Sequence, residues 1–344
     1  MASLASVLAD IATLSVDDKE ELKSFIIKLF SKTMGSLESF VKEERFSGGL
    51  VCPICGCVHV VRNGYRKDGT QRYVCKDCGK SFVAMTNSIV SSTKKDFSVW
   101  EKYVDCMING FSLRKSARIC GIHRNTAFIW RHKILGALQN MADDVVLGGI
   151  VEADETFFNN SYKGNHKRGS FVMPRKAHRR GKSIHKRGIS QEKICVPCAV
   201  NRSGLSIAKA TNLGHVATKD LHSLYDGKIK PDSIVVTDRM NSYRRFATKN
   251  GLNLIQLKGG KAKKGIYNIQ RINSYHSKLK QFMDGFKGVS TKHLNNYLIW
   301  HNFINYAPES EVEKRAILLK FVLKQAITIR VGDISKKPAL PFMA

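Results

Sequence analysis

Two aspartates, each closing an apolar run, are the groups in this 344-residue sequence whose setting is best suited to chemistry. Gly149-Ile-Val-Glu-Ala-Asp154 and Ser233-Ile-Val-Val-Thr-Asp238 both read as buried strands that end in an acid, and carboxylates at adjoining strand ends suit a hard divalent cation. A third oxygen follows on an expected helix, Ile272 to Phe282, where 34 residues separate Asp238 from Asn273. Such a set can hold Mg²⁺ or Mn²⁺, and two ions about 4 Å apart assist in-line displacement at a phosphodiester. Asp154, Asp238 and Asn273 are therefore the expected magnesium ligands. An amide in third place removes one of three negative charges, which calls for compensation. Glu152 shares the strand face of Asp154 while Glu155 faces away. On the helix, His276 and Lys280 lie on the face of Asn273. Glu152 or His276 is expected to add to the site, and Lys280 to hold a phosphate.

A second metal-binding pattern lies upstream. Cys52-Pro-Ile-Cys55 and Cys75-Lys-Asp-Cys78 are two CxxC pairs separated by 19 residues, each followed by glycine. Four thiolates at this spacing make a closed, structural zinc site, and Asn63 to Gly69 has the turn chemistry of a hairpin between them. A zinc ribbon over residues 48–84 is expected, with Cys57 a bystander. Arg62, Arg66, Lys67, Arg72 and Lys76 make it basic, which fits either a DNA contact or a purely structural module.

Further elements must position these groups. Residues 95–140 read as three helices: Ser98 to Asn109, stopped by Gly110; Leu113 to Cys120, capped by Ser112; and Arg124 to Leu138 after the turn Gly121-Ile-His123. This spacing fits a helix-turn-helix or a plain helical hairpin. In the former, Arg124, Asn125, Thr126 and Arg131 would meet DNA. Residues 148–310 alternate strand and helix patterns: strands at 193–200, 205–210 and 252–257, helices at 218–225 and 241–250, and a last helix whose Tyr297, Leu298, Trp300 and Phe303 are core. Cys195 and Cys198 fall on opposite faces of their strand and read as core residues. Residues 1–47 form a helical region in which Ser15 caps a helix bearing Leu22, Phe25, Ile26 and Leu29. Residues 311–344 are a helix and a basic, mobile tail.

Composition agrees with a polyanionic partner. There are 57 Lys and Arg against 28 Asp and Glu, a net charge of +29, which is far beyond what solubility requires. The segment Lys163 to Arg187 holds ten Lys and Arg and no acid. Lys167, Arg168, Arg179 and Arg180 within it are expected to neutralise phosphates. Lys258, Lys261, Lys263 and Lys264 form a second basic loop. No run reaches the roughly 18 to 20 apolar residues of a membrane span, and the N-terminus lacks a basic start, so a cytoplasmic location without membrane association is expected.

The blocks VEADETFF, VVTDRMNSY and INSYHSKLKQF followed by GVSTKHLNNYLIWHNF resemble the catalytic blocks of the insertion sequence 1595 family of prokaryotic transposases. The resemblance runs from about residue 48 to 310. It implies an α/β fold: an RNase H-like mixed sheet with flanking helices, preceded by a small zinc ribbon and a helix-turn-helix domain. It also implies catalytic aspartates at Asp154 and Asp238, with Asn273 and Lys280 in the pattern of the branch that carries Asn. The implied activity is metal-dependent cleavage and strand transfer at terminal inverted repeats. Double-stranded DNA, as transposon ends and target, would be the partner of a homodimer or larger assembly at the nucleoid. The competing readings are an RNase H-like nuclease or resolvase, and a DNA-binding regulator whose catalytic domain has decayed.

Overall fold

The computed structural model describes residues 10–19, 21–22, 37–91, 93–165, 172, 188–258, 263–306 and 310–340. Leu22 falls at the edge of a described stretch, and Phe25, Ile26 and Leu29 lie outside the described residues. Ser15 does cap the helical turn that follows it: its Oγ accepts from Asp18 N at 3.1 Å. The chain divides into two compact units, residues 1–103 with 323–326 and residues 104–322 with 327–344.

The first unit contains helix α1 (Leu37–Phe46) and a three-stranded antiparallel sheet in the order β1 (Val60–Tyr65), β2 (Gln71–Cys75), β3 (Ser81–Val83). Its small core gathers Cys52, Val60, Tyr73, Cys75 and Phe82, with Phe46 and Leu50 packed against it. The hairpin turns in the second half of the stretch expected for it. Gly64, at φ +64°, sits within β1 at a shift in register between Arg62 and Tyr65, a bulge that glycine makes cheap. The chain reverses instead at Arg66–Thr70, closed by Arg66 N to Thr70 O at 2.9 Å. The Arg45 guanidinium at the end of α1 donates to the carbonyls of Ala84, Thr86, Asn87 and Gln325, tying two separate stretches to one cation. Burial lowers its pKa to about 10.

Helix α2 (Phe97–Ile108) leads to the second unit and is ended by Gly110 at φ +65°. Helix α3 (Leu113–Ile119) is capped by Ser112, whose Oγ accepts from Lys115 N at 3.3 Å. Gly121 turns the chain at φ +59°, and α4 (Arg124–Asp143) begins where His123 Nδ1 accepts from Asn125 N at 3.2 Å. Ala127, Trp130, Ile134, Leu135 and Leu138 recur at helical spacing and are all buried.

A six-stranded sheet organises the rest. It comprises β4 (Ile150–Asn159), β5 (Lys193–Asn201), β6 (Ser206–Ala208), β7 (Asn212–Leu213), β8 (Ile234–Thr237) and β9 (Asn253–Gln256). The order is β6-β5-β4-β8-β9, with β7 also on β5. The first three strands pair antiparallel, and β8 and β9 join parallel. This is the RNase H-like mixed sheet expected from the sequence. Helices α5 (Thr218–Tyr225) and α6 (Asn241–Asn250) cover one face, where Val151, Ala153, Leu221, Tyr225, Tyr243 and Phe246 form the core. Each such side chain withdrawn from water is worth about 1.5–3 kcal/mol. Helix α7 (Gln270–Asp284) packs on β4 and β5 and contacts α8 (Leu294–Tyr306), which follows the 3₁₀ turn Thr291–His293.

Helices α9 (Glu311–Lys324) and α10 (Val331–Lys336) complete the chain. The tail expected to be mobile is folded as far as Leu340. Arg330 N and Asp333 Oδ2 cap α10 at 2.7 Å, and Ile334 and Ala339 are buried. No helix among the described residues is long and apolar enough to cross a membrane.

Candidate active site

The parallel pairing of β4 and β8 sets the position of the two aspartates. Glu152 lies opposite Val236, so continuing both strands by two residues brings Asp154 beside Asp238. Asp154 leaves the sheet on the α7 face, where His276 Nδ1 stands 3.8 Å from its Oδ2. Burial, with the Asp238 charge adding to it, pushes the Asp154 carboxyl up to about 6. Two half-buried carboxylates placed together ask for a cation, and Lys280, whose charge is felt by both Asp154 and His276, supplies one from α7. Burial and Lys280 lower His276 to about 4, so its imidazole is neutral at pH 7, and its buried Nε2 has no hydrogen-bond partner. His276 and Asp154 are thus brought together, whereas among the described residues only the four cysteines Cys52, Cys55, Cys75 and Cys78 converge as a group of three or more potential ligands within 4.8 Å of one another.

Asn273 and Lys280 are exposed on α7, one turn to either side of the buried His276. Asn273 O accepts from Ser277 Oγ at 3.1 Å, which leaves the side-chain amide free of that contact.

Glu152 does something other than join the donor set. Its Oε2 accepts from the backbone N–H of Arg271 at 2.8 Å and of Ile272 at 3.1 Å, the first turn of α7. A carboxylate there satisfies two donors that a helix start leaves unpaired and complements the positive end of the helix dipole. The strand carrying Asp154 thus anchors the helix carrying Asn273, His276 and Lys280. Glu155 faces the opposite side as expected, among Cys195, Tyr225 and Tyr243, and burial raises it to about 8.

Gln256 is a contributor that sequence reasoning missed. Its Nε2 donates to Asp238 O and to Met240 O, both at 3.0 Å, while its Oε1 accepts from Arg244 Nη2 at 3.1 Å. Asp238 Oδ1 also accepts from Met240 N at 3.1 Å. The turn that presents the second aspartate is held from both sides. In the sequence Gln256 is merely the end of a strand; only its pairing opposite Thr237 brings it to the turn.

The four cysteines of the CxxC pairs converge as expected. Their sulfurs all lie within 4.8 Å of one another, with Cys52 to Cys78 at 3.8 Å and Cys55 to Cys75 at 3.6 Å. A tetrahedral zinc at about 2.3 Å from each sulfur needs edges of about 3.8 Å, so these thiols fit the ion. Gly56 and Gly79, at φ +80° and +69°, let each knuckle curl back beneath its first cysteine. Cys195 and Cys198 are buried within β5, where Cys198 Sγ donates to Val196 O at 3.3 Å.

The expected DNA-contacting residues divide. Arg124 and Asn125 are exposed at the start of α4, and Thr126 is half-buried. Arg131 is corrected: it is buried, donates to Phe111 O at 2.8 Å and lies against Tyr297, because its position on α4 faces inward. Lys167, Arg168, Arg179 and Arg180 lie outside the described residues, as does Lys261, whereas Lys258, Lys263 and Lys264 are exposed.

Residues 146–303 match the family model of the ISXO2-like transposase domain. Solved structures similar to this chain include a pre-cleavage Mos1 transpososome, with 10% identity over 67% of this chain and 80% of that one at a TM-score of 0.21. A Mos1 mariner paired end complex with Mn has 9% identity over 66% and 78%, at a TM-score of 0.21. A Mos1 strand transfer complex has 10% over 67% and 79%, at 0.22. At such TM-scores, superposition adds nothing to the strand order and the domain match.

Proposed function

On the premise that residues 146–303 carry an ISXO2-like transposase domain, we propose that the chain is the DNA transposase of an insertion sequence. It binds terminal inverted repeats and catalyses metal-dependent strand cleavage and strand transfer. The reading is supported above all by the β4–β8 register, which aligns Asp154 with Asp238 under the helix bearing Asn273, His276 and Lys280.

Asp154, Asp238 and the Asn273 amide oxygen would hold Mg²⁺ or Mn²⁺, with His276 beside them. Such ions, when bound, polarise the phosphodiester and favour ionisation of the attacking hydroxyl. The protein's own groups do the rest. Glu152 and Gln256 keep the ligand-bearing elements in register. Lys280 places a positive charge at the mouth of the site, where a DNA phosphate is oriented. Neutral His276 fills the space beside Asp154 without adding a competing charge.

The four thiolates of Cys52, Cys55, Cys75 and Cys78 would hold a structural zinc. Arg124, Asn125 and Thr126 are the residues of α4 that reach duplex DNA, with Lys167, Arg168, Arg179 and Arg180 on phosphates. The partner is double-stranded DNA, as ends and as target. Synapsis of two ends requires a homodimer or larger assembly, working at the nucleoid.

The test is a cleavage and strand-transfer assay on DNA carrying the element's ends, with Mg²⁺ or Mn²⁺. Cutting and joining that disappear in both Asp154→Asn and Asp238→Asn are expected. Cutting without joining would favour a nuclease or resolvase, and binding without cutting a regulator. Asn273→Ala leaving strand transfer intact would remove the amide from the site, and Asn273→Glu tests whether charge there assists.

A further inference from the structure

A second cluster of polar side chains lies away from the aspartates, where α4, the 3₁₀ turn Thr291–His293 and the segment after α10 meet the chain that leaves β4. His132 of α4 stacks on His293 with ring centroids 4.0 Å apart, edged by Phe128 and Tyr297. Lys292 is buried, and its Nζ donates to Asn165 Oδ1 at 2.9 Å and Ser335 O at 3.3 Å. Lys337 Nζ donates to Asn296 Oδ1 at 3.3 Å.

These partners are all neutral oxygens. Among the described residues, no carboxylate pairs with either ammonium. Taking an ammonium out of water costs several kcal/mol unless an opposite charge is near, and here two share one region with Arg131 close by. Three polar atoms there are also buried without a partner: His132 Nδ1, His293 Nδ1 and Asn165 Nδ2. His132 and His293 are 2% and 5% exposed, so water does not make good the loss. Burial first, then the surrounding positive charges, hold their rings down to about 2 and about 3. The Asn165 amide nitrogen lacks an acceptor, and no negative charge offsets the two ammonium groups.

There is a way in. Gly164 is exposed, and the one atom a side chain there would approach is Lys292 Nζ, at 3.8 Å. Lys163 is exposed beside it, and Lys337 is half-buried. The backbone frame is firm: Ser161 N donates to Thr291 Oγ1 at 2.7 Å, and Thr291 N to Ser161 O at 2.9 Å.

We propose that Lys292, Lys337, Asn165 and the His132–His293 pair form a binding site for a phosphate group, entered beside Gly164. The group is either a DNA backbone phosphate or a free phosphate. Strand β4 spans about 17 Å from Asp154 to Asn159, a few nucleotides of extended strand. The cluster includes α4 itself, two turns below Arg124 and Asn125. A phosphate here would fix the DNA between the helix that meets it and the site that cuts it. Only this DNA source rests on the transposase reading; the anion site does not.

The full zinc-loaded chain is melted in magnesium-free buffer with inorganic phosphate, against chloride at equal ionic strength. Phosphate is expected to raise Tm by a few degrees more than chloride, and Lys337→Gln, at a half-buried position, to abolish the difference. Lys292→Gln is the second variant. Duplex DNA binding is then measured from about 50 to 200 mM salt. A log–log slope smaller by about 1 in Lys337→Gln identifies DNA as the source of the phosphate. An unchanged slope with the phosphate effect lost identifies free phosphate instead. Equal Tm in phosphate and chloride, or a phosphate effect that survives in both variants, overturns the site. Absence of cleavage by the wild-type chain would reject the transposase reading and leave this result standing.

Discussion

The Asp154 carboxyl binds its proton more tightly in the folded chain than in the unfolded one, since burial and Asp238 raise it from the ordinary range near 4 to about 6. Its contribution to stability is therefore fully present below pH 4 and lost as pH rises through 6. In metal-free buffer at pH 7.5, Asp154→Asn should be more stable than the wild type by on the order of 2 kcal/mol. The gap should close below pH 4, while cleavage is lost. Equal melting temperatures at pH 7.5 would contradict the buried, like-charged setting of this side chain. Gln256 acts on the other aspartate. Gln256→Ala removes both hydrogen bonds that bracket Asp238. The fold should survive, cleavage should slow about tenfold or more, and the Mn²⁺ concentration for half-maximal rate should rise. A slower rate with unchanged Mn²⁺ dependence would mean that Gln256 does not position the ligand.

Helices and strands were legible to within a few residues wherever a physical punctuation mark exists. Gly110 stops one helix and Ser112 starts the next as read, and the apolar runs before Asp154 and Asp238 are strands, although β4 continues to Asn159 and so carries Asp154 within it. The hairpin turn falls in the second half of the stretch Asn63 to Gly69, because Asn63-Gly64 serves as a bulge in β1. The link between elements was not legible: Glu152 reads as an extra ligand until α7 is seen to begin at its carboxylate. Glu152→Ala should cost about 1–3 kcal/mol and speed amide exchange in the first turn of α7, with exchange in β2 unchanged. Protection that remains at Arg271 and Ile272 would show that the helix start is held by something else. In the ribbon, Cys75→Ser or a strong chelator should release one zinc per chain and open residues 48–84 to proteolysis, because so small a core cannot fold on apolar burial alone. Resistance to proteolysis after zinc loss would mean that Tyr73 and Phe82 suffice.

At the scale of the molecule, the proposed binding of DNA by a chain of net charge +29 should be a function of salt. With six or more phosphate contacts, affinity should fall about 10³-fold or more between 50 and 200 mM salt. Replacing Lys167, Arg168, Arg179 and Arg180 together by Gln should reduce the log–log slope by up to about 4. A slope unchanged by all four substitutions would assign the salt dependence to other basic residues. Arg131 is one that the sequence placed on DNA and the fold withdrew, since its turn of α4 faces Phe111 and Tyr297 rather than solvent.

The sequence by itself determined which residues offer metal-binding chemistry. Cysteine spacing names a zinc knuckle because two CxxC loops close on one ion whatever surrounds them. Aspartates at the ends of apolar runs mark a cation site because buried strands bring their ends together. Tertiary structure alone decided the rest. Glu152 caps a helix, Gln256 clamps a turn, Arg131 is buried, and His132 meets His293, because each depends on a partner far along the chain whose approach is set by packing rather than by local pattern. The two aspartates belong to both levels: their residue types were plain in the sequence, and their adjacency came from the parallel register of β4 and β8.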